Sequence, residues 1–144
     1  MIAAYQFGNR AERAFPVTFR ITTSPNTHKI RHVFNGGKLL ATLRAKDGFL
    51  ALTIDGGKVL RRTFKPPRLR VRVVLGVEEF IRKGGNVFAK HVRTVDPEIR
   101  PGEEVLVVDG RDRLLAVGST LFPAEEMLSF RAGVAVKVRH GVED

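Results

Sequence analysis

The residue types that carry enzymatic chemistry are present in this sequence, but not at the spacings that catalysis requires. The four histidines, His28, His32, His91 and His140, lie far apart, and the chain has no cysteine, so no His-Glu-x-x-His helix and no Cys/His zinc site is present. Gly37-Lys38 lacks both the glycine five residues earlier and the following Ser or Thr of a phosphate-cradling nucleotide loop. We therefore predict a protein that is not an enzyme, with no catalytic residues, no metal and no cofactor.

The basic residues form a stronger pattern, because six of the twelve residues from 61 to 72 are Arg or Lys. Arginine and apolar residues alternate from position 68, which predicts a strand with Arg68, Arg70 and Arg72 on one face. A planar guanidinium grips phosphate through two parallel hydrogen bonds, so arginines on a rigid strand fit a clamp for a phosphate backbone. The alternative is a solvated face that serves ion pairs; this needs acidic partners, and the first half of the chain offers three.

The charge is distributed unevenly along the chain. The 25 Lys and Arg outnumber the 15 Asp and Glu, and the net charge of +10 suits a polyanionic partner, either nucleic acid or an anionic membrane face. Residues 1–67 carry 12 basic and 3 acidic side chains, whereas residues 68–144 carry 13 and 12. Pro66-Pro67 at this division predicts a stiff linker between two domains, 1–66 and 67–144.

No apolar run in the sequence reaches the length of a signal-peptide core or a membrane span. We therefore expect a cytoplasmic protein that does not enter a membrane.

The elements that must position the basic residues are mostly short strands. In the first half we predict a helix at about 10–15, a strand from Phe15 to Thr22, three further strands in KIRHVF, KLLATLRA and FLALTI, and a last helix in KVLRRTF. Asn35-Gly36-Gly37 and Asp47-Gly48 between these strands are typical of hairpin turns. The first half is thus predicted to be a small α+β unit with an antiparallel sheet.

The second half alternates strands with two short helices. Strands are predicted at 68–75, 87–92, 105–108, 114–117 and 133–139, the last with Lys137 and Arg139 on one face. A short amphipathic helix follows Val77 and ends at Gly84-Gly85, and a second runs over 124–130. Many short strands with two small helices are typical of a compact, partly closed barrel that is mostly β.

Two stretches resemble known families. The segments GGNVFAKHV, DPEIRPGEEVLVVD, LLAVGSTLF and AEEMLSFRAGVAVKVR are similar to a PUA domain of the archaeal type. The segments AYQFG, KIRHVF, LATLRAKDGFLALTI and GGKVL resemble the small domain that precedes PUA in archaeal tRNA-guanine transglycosylases, the archaeosine enzymes. The enzyme's catalytic part, a (β/α)₈ barrel of about 250 residues with a zinc site, has no counterpart in this sequence. The resemblance implies an α+β pre-PUA domain followed by a PUA pseudo-barrel.

The resemblance also implies an RNA-binding surface. In PUA domains this surface runs along the first helix, the glycine loop after it, the following strand and the last strand. The corresponding residues here are Lys83, Gly84, Gly85, Asn86, Phe88, Lys90, Arg131, Lys137 and Arg139. For Phe88, we favour a position in the hydrophobic core over a contact with RNA.

We therefore predict a non-enzymatic protein that binds tRNA, at its acceptor stem, or another folded RNA by shape and backbone. It would act as a stand-alone or accessory module of tRNA modification. The alternative is an accessory subunit that acts mainly through protein contacts with a separate tRNA-modifying enzyme.

Overall fold

The computed structural model describes residues 20–23, 30–35, 38–43, 50–129 and 132–143. The chain divides into two compact units, Met1–Thr63 and Phe64–Asp144. The domain boundary expected between residues 66 and 67 stays a prediction. The helix predicted at 10–15, the glycine turns at 36–37 and 47–48, and Arg131 lie outside the described residues. Among the helices that are described, none has the length and apolar character to cross a bilayer.

The first unit contains an antiparallel sheet of four strands that pair in chain order. The strands are β1 (Arg20–Thr23), β2 (Ile30–Asn35), β3 (Lys38–Leu43) and β4 (Leu50–Leu52). β2 pairs with β3 antiparallel, with Asn35 opposite Lys38. The predicted antiparallel sheet is confirmed.

A helix, α1 (Ile54–Thr63), follows the sheet and begins earlier than the sequence predicts. The predicted strand runs through Ile54, whereas β4 ends at Leu52. The reason is Thr53, whose Oγ1 accepts a hydrogen bond from the N–H of Gly56 at 3.1 Å and so caps the helix. The N–H of Thr53 donates to the carbonyl of Leu40 at 3.0 Å, which fixes the start of the helix against β3.

The second unit is built on a six-stranded sheet with two short helices. The strands are β5 (Arg70–Val73), β6 (Val87–Phe88), β7 (Val92–Val95), β8 (Glu104–Val108), β9 (Leu114–Thr120) and β10 (Val134–Gly141). The helices are α2 (Glu78–Arg82) and α3 (Ala124–Ser129). The strand order is β6-β10-β9-β8-β5-β7, and every pair is antiparallel except β5 with β8.

The connection between β6 and β7 explains why this sheet curls. These strands are the two edges of the sheet, yet only a three-residue 3-10 helix, Ala89–His91, joins them. Because three residues span at most about 11 Å, the sheet must bend until its edges come together. The predicted, partly closed barrel is confirmed, but the single strand predicted over 87–92 is wrong, since the 3-10 helix divides it.

The barrel is filled by apolar side chains from nearly every element. Val71 and Val73 of β5 point inward, and all five residues of β8 are buried, so both faces of that central strand are covered. Ile81 of α2 and Met127 of α3 are buried in the same core cluster. The cluster is composed of Val71, Val73, Ile81, Val87, Ala89, Val95, Ile99, Val105, Val107, Leu115, Ala116, Ala124, Met127, Ala135 and Val136.

Candidate nucleic-acid interface

The loop after α2 is fixed to the last strand of the barrel. β10 pairs with β6 through Val134 opposite Phe88 and Val136 opposite Val87. One residue before β6, Oδ1 of Asn86 accepts a hydrogen bond from the N–H of Val138 at 3.0 Å. The structure therefore brings the predicted loop and the predicted last strand together, and Asn86 acts as a positioning residue between them.

The two glycines of the loop close α2. Gly84 has a φ of 99°, and its N–H donates to the carbonyl of Ile81 at 2.9 Å. The N–H of Gly85 donates to the carbonyl of Phe80 at 3.0 Å, which completes the helix C-cap that the sequence predicts. A Cβ on Gly85 would lie 2.3 Å from the ring of Phe80. A ligand at this point meets the aromatic ring, which is 55% exposed, rather than bare backbone.

Gly141 lets the end of α2 lie directly on the end of β10. A Cβ on Gly141 would lie 2.1 Å from the carbonyl oxygen of Arg82 and 2.7 Å from the nitrogen of Gly84. The same carbonyl of Arg82 accepts a hydrogen bond from the N–H of Glu143 at 2.8 Å. The loop is thus held by backbone contacts at one end and by Asn86 at the other.

Three exposed lysines follow this joined loop and strand, and we call Lys83, Lys90 and Lys137 the lysine row. Lys83 pairs with Glu79 at 3.0 Å, but both side chains are more than 60% exposed, and such pairs contribute little. The N–H of Ala89, the residue before Lys90, donates to the carbonyl of Gly133. Four residues lie between Gly133 and Val138, so the points at which Ala89 and Asn86 bind the last strand are about 17 Å apart along the chain.

Arg139 is placed differently from the prediction, which puts it with Lys137 on one exposed face. The register of β10 against β9 shifts between Val138 and His140, so a bulge at Arg139 breaks the alternation. Its guanidinium binds both carboxylate oxygens of Glu104, with Nη1 2.6 Å from Oε1. The side chain of Glu104 is fully buried and that of Arg139 is 31% exposed. The charge of Arg139 thus neutralises a carboxylate inside the barrel, and the contact of Arg139 with RNA stays a prediction.

The arginine face predicted at the start of the barrel is confirmed for Arg70 and Arg72, which both line one pocket, but not for Arg68. Leu69 has a φ of 66°, which interrupts the extended chain, so β5 begins only at Arg70. Arg68 therefore lies in the turn before the strand, where its Nη1 pairs with Oδ2 of Asp96 at 2.9 Å.

Arg70 is almost fully buried, in the wall of the pocket that Arg72 also lines. Its side chain is 3% exposed, and it binds Asp112 through two hydrogen bonds of 3.1 Å, from Nε to Oδ1 and from Nη2 to Oδ2. Its Nη1 donates to the carbonyl of Arg68 at 2.9 Å. The charge of Arg70 is therefore paired with Asp112, and its contact with RNA stays a prediction. Arg72 is the member of the predicted trio whose side chain is exposed.

Two exposed arginines beside Arg72 were missed by the reasoning from sequence. Arg111, in the turn between β8 and β9, lines one pocket with Arg72, and Arg93 of β7 lines a second, adjoining pocket with Arg72. The signal for Arg111 was the turn sequence Asp109-Gly110-Arg111-Asp112, whereas nothing in the sequence placed Arg93 near it. Across the described ranges, no three His, Asp or Glu side chains come close enough together to hold a metal ion.

Comparisons with known proteins agree with the two-part organisation. The family "Patch-forming domain C2 of tRNA-guanine transglycosylase" matches residues 1–67, and the PUA domain family matches residues 70–142. A tRNA-guanine(15) transglycosylase from Pyrococcus abyssi is 49% identical over 98% of this chain, which covers 24% of that enzyme. The chain thus spans about a quarter of the length of the curated relatives it matches.

Solved structures show the same fold. A hypothetical protein from Pyrococcus horikoshii superposes with a TM-score of 0.78 at 22% identity, over 99% of this chain and 87% of that one. A conserved PUA domain protein from Thermoplasma acidophilum gives a TM-score of 0.60 at 26% identity, over 78% of this chain and 70% of that one. The resemblance seen in the sequence is confirmed: the chain belongs to the PUA domain family, with a C2 segment like that of tRNA-guanine transglycosylases ahead of the PUA domain.

Proposed function

We propose that this chain is a non-catalytic module that docks on folded tRNA, at its acceptor stem, in the service of tRNA modification. The observation that carries the proposal is the match of 98% of the chain to one quarter of tRNA-guanine transglycosylases, a quarter that consists of C2 and PUA segments. The exposed lysine row on the joined α2 loop and β10 supports it from the structure, because exposed ammonium groups on a rigid scaffold contact phosphates without reading bases.

The charge of the first 67 residues supports a division of labour in this function. With 12 basic and 3 acidic side chains, this segment attracts a polyanion over a distance of about a Debye length, roughly 8–10 Å. The barrel, whose charges nearly balance, would then set the docking geometry through particular side chains.

Binding to tRNA is expected to weaken steeply with salt. Each phosphate neutralised by a basic side chain releases condensed counterions, so the logarithm of the association constant falls linearly with that of the salt concentration, at a slope of several units. Filter binding of labelled tRNA between about 50 and 200 mM salt measures this slope. A flat response, or equal binding of an acidic protein competitor, contradicts the proposal.

Removal of single lysines tests the surface itself. We expect Lys90→Ala and Lys137→Ala each to lower the salt slope by about one unit and to weaken binding similarly for all tRNA sequences. Their melting curves should hardly move, since exposed substitutions stay within about 0.5 kcal/mol.

The matched control is Lys65→Ala, another exposed lysine of the second unit that lies outside the row. If Lys65→Ala lowers the slope as much as the row variants do, binding is diffuse and the lysine row is not the interface.

A second candidate function is an accessory subunit that works mainly through a separate tRNA-modifying enzyme. Exposed apolar side chains favour it, above all Leu75 at 88%, together with Phe80 and Leu128 at 55% and 56%. This function predicts that the isolated chain binds tRNA weakly and that addition of the partner enzyme restores tight binding.

A further inference from the structure

A cleft opens at the other end of the strand order from the lysine row, beside β5. It consists of two adjoining pockets, its lobes, which share Arg72 and Gly110 as lining residues. One lobe continues to Arg111 and Thr94, and the other continues to Arg93 and Leu75. We call Arg72, Arg93 and Arg111 the arginine cleft.

The turn that carries Arg111 is rigid. Oδ1 of Asp109 accepts hydrogen bonds from the N–H of Arg111 at 2.8 Å and of Arg113 at 3.0 Å. Its Oδ2 accepts one from Nε of Arg113 at 2.7 Å. Burial alone would raise the pKa of Asp109, but these hydrogen bonds from Arg113 and Arg111 outweigh burial and lower it. The turn therefore keeps its charge and its shape at neutral pH.

The cleft has an excess of positive charge after all its acidic groups are taken into account. Its lining contains two carboxylates, Asp109 and Asp112, and these pair with Arg113 and Arg70 respectively. In the part of the chain that the structure describes, no carboxylate lies within 4 Å of the basic groups of Arg72, Arg93 or Arg111, and all three side chains are exposed. Three guanidinium groups thus line these two pockets with no acidic partner among the described residues.

Gly110 sets the position of the central guanidinium. A Cβ at this residue would lie 3.3 Å from Nη2 and 3.9 Å from Nε of Arg72, so the guanidinium rests against the glycine backbone. Contact with the turn limits the freedom of a long side chain, which reduces the entropy that a ligand must overcome. An arginine held in this way presents its planar fork to a phosphate in a fixed direction.

We propose that the arginine cleft is a second phosphate-binding site, which takes a phosphate of the RNA strand docked on the lysine row. The assignment of this phosphate to RNA rests on the proposed function, whereas the affinity of the site for phosphate is inferred from the cleft alone. Lys90 and Arg93 are three residues apart along the chain, so their Cα atoms lie within about 11 Å and one strand can reach both surfaces. Leu75, 88% exposed in the cleft, would be covered by the sugar or base that carries the phosphate.

The test uses the full chain and has two arms. In the first, inorganic phosphate is titrated against the protein while the Nε–H resonances of its arginines are followed by NMR. We expect the resonances of Arg72, Arg93 and Arg111 to move together and those of Arg100, which lines neither pocket, to stay in place. In the second arm, tRNA binding is measured for Arg72→Ala, Arg111→Ala and Arg72→Lys, with exposed Arg100→Ala as the matched control.

Arg72→Ala and Arg111→Ala are expected to weaken tRNA binding about tenfold and to lower the salt slope by about one unit each. Arg72→Lys should recover part of the loss, because a point charge cannot reproduce the bidentate fork. Arg100→Ala should bind as the unchanged protein does.

The outcomes separate this site from the proposed function. One outcome is that phosphate shifts the three resonances while the protein does not bind tRNA, or while the arginine variants bind it unchanged. The cleft is then a phosphate site whose ligand is a small phosphorylated molecule, and a mononucleotide should shift the same resonances. If phosphate leaves the resonances in place and the Arg72 and Arg111 variants bind tRNA like Arg100→Ala, the inference is overturned while the lysine row keeps its role.

Discussion

Arg139→Ala is expected to lower the free energy of unfolding by about 3–5 kcal/mol, the usual result of leaving one charge of a buried pair alone. The carboxylate of Glu104 is fully buried, and the guanidinium of Arg139 binds both of its oxygens. Without Arg139, Glu104 must either stay charged in a medium of low polarity or take up a proton, and both cost stability. Urea unfolding followed by circular dichroism measures the change.

Lys137→Ala is the matched control on the same strand, and it should shift stability by no more than about 0.5 kcal/mol because its side chain is exposed. The double variant Glu104→Leu with Arg139→Met should be more stable than Arg139→Ala, since no charge is then buried alone. Equal stability of Arg139→Ala and Lys137→Ala would show that the pair does not support the barrel. A loss of RNA binding by Arg139→Ala indicates a lost phosphate contact only if the variant remains folded.

Gly141→Ala is expected to have the next largest effect, on both stability and RNA affinity. Its new Cβ would sit 2.1 Å from the carbonyl oxygen of Arg82, so α2 and its loop must move away from β10. Overpacking of this kind costs about 1–3 kcal/mol. The same movement shifts Lys83 and Asn86 from their places, so tRNA affinity should fall by about tenfold, or 1.4 kcal/mol.

Hydrogen exchange locates the change, because the N–H of Glu143 donates to the carbonyl of Arg82 and should lose its protection. Gly102→Ala serves as the control. It has a φ of 83° and no atom within 4 Å of the new Cβ, so it costs about 1–2 kcal/mol of backbone strain and leaves the interface alone. If Gly141→Ala and Gly102→Ala bind tRNA equally well, contact between α2 and β10 does not shape the interface.

The sequence predicts the strands and helices of the barrel well because their signals are local. Alternating valines predict β5 and β10, and Gly84-Gly85 predicts the end of α2. The exceptions are local as well: the left-handed backbone at Leu69 delays β5, and Thr53 starts α1 early. Leucine and threonine occur in strands, turns and helix caps alike, so the residue types at positions 69 and 53 do not predict these two features.

The interface was harder to predict because the roles of its arginines are decided by partners distant in the chain. Arg70 binds Asp112, 42 positions away, and Arg139 binds Glu104, 35 positions away. An alternating pattern predicts which residues share a face of a strand. It does not predict whether a carboxylate from another strand or turn pairs with an arginine on that face. The balanced charge of residues 68–144 was the available sign, since 12 acidic side chains are enough to neutralise most of the arginines there.

The pairing of β6 with β10 has a consequence for synthesis on the ribosome. Phe88 meets its partner Val134 only after the intervening chain has been translated, which takes on the order of seconds. Until then Asn86 cannot accept its hydrogen bond from the N–H of Val138, so the loop after α2 is not yet fixed to β10. We therefore expect a nascent chain to bind RNA poorly until β10 has been synthesised and has paired with β6.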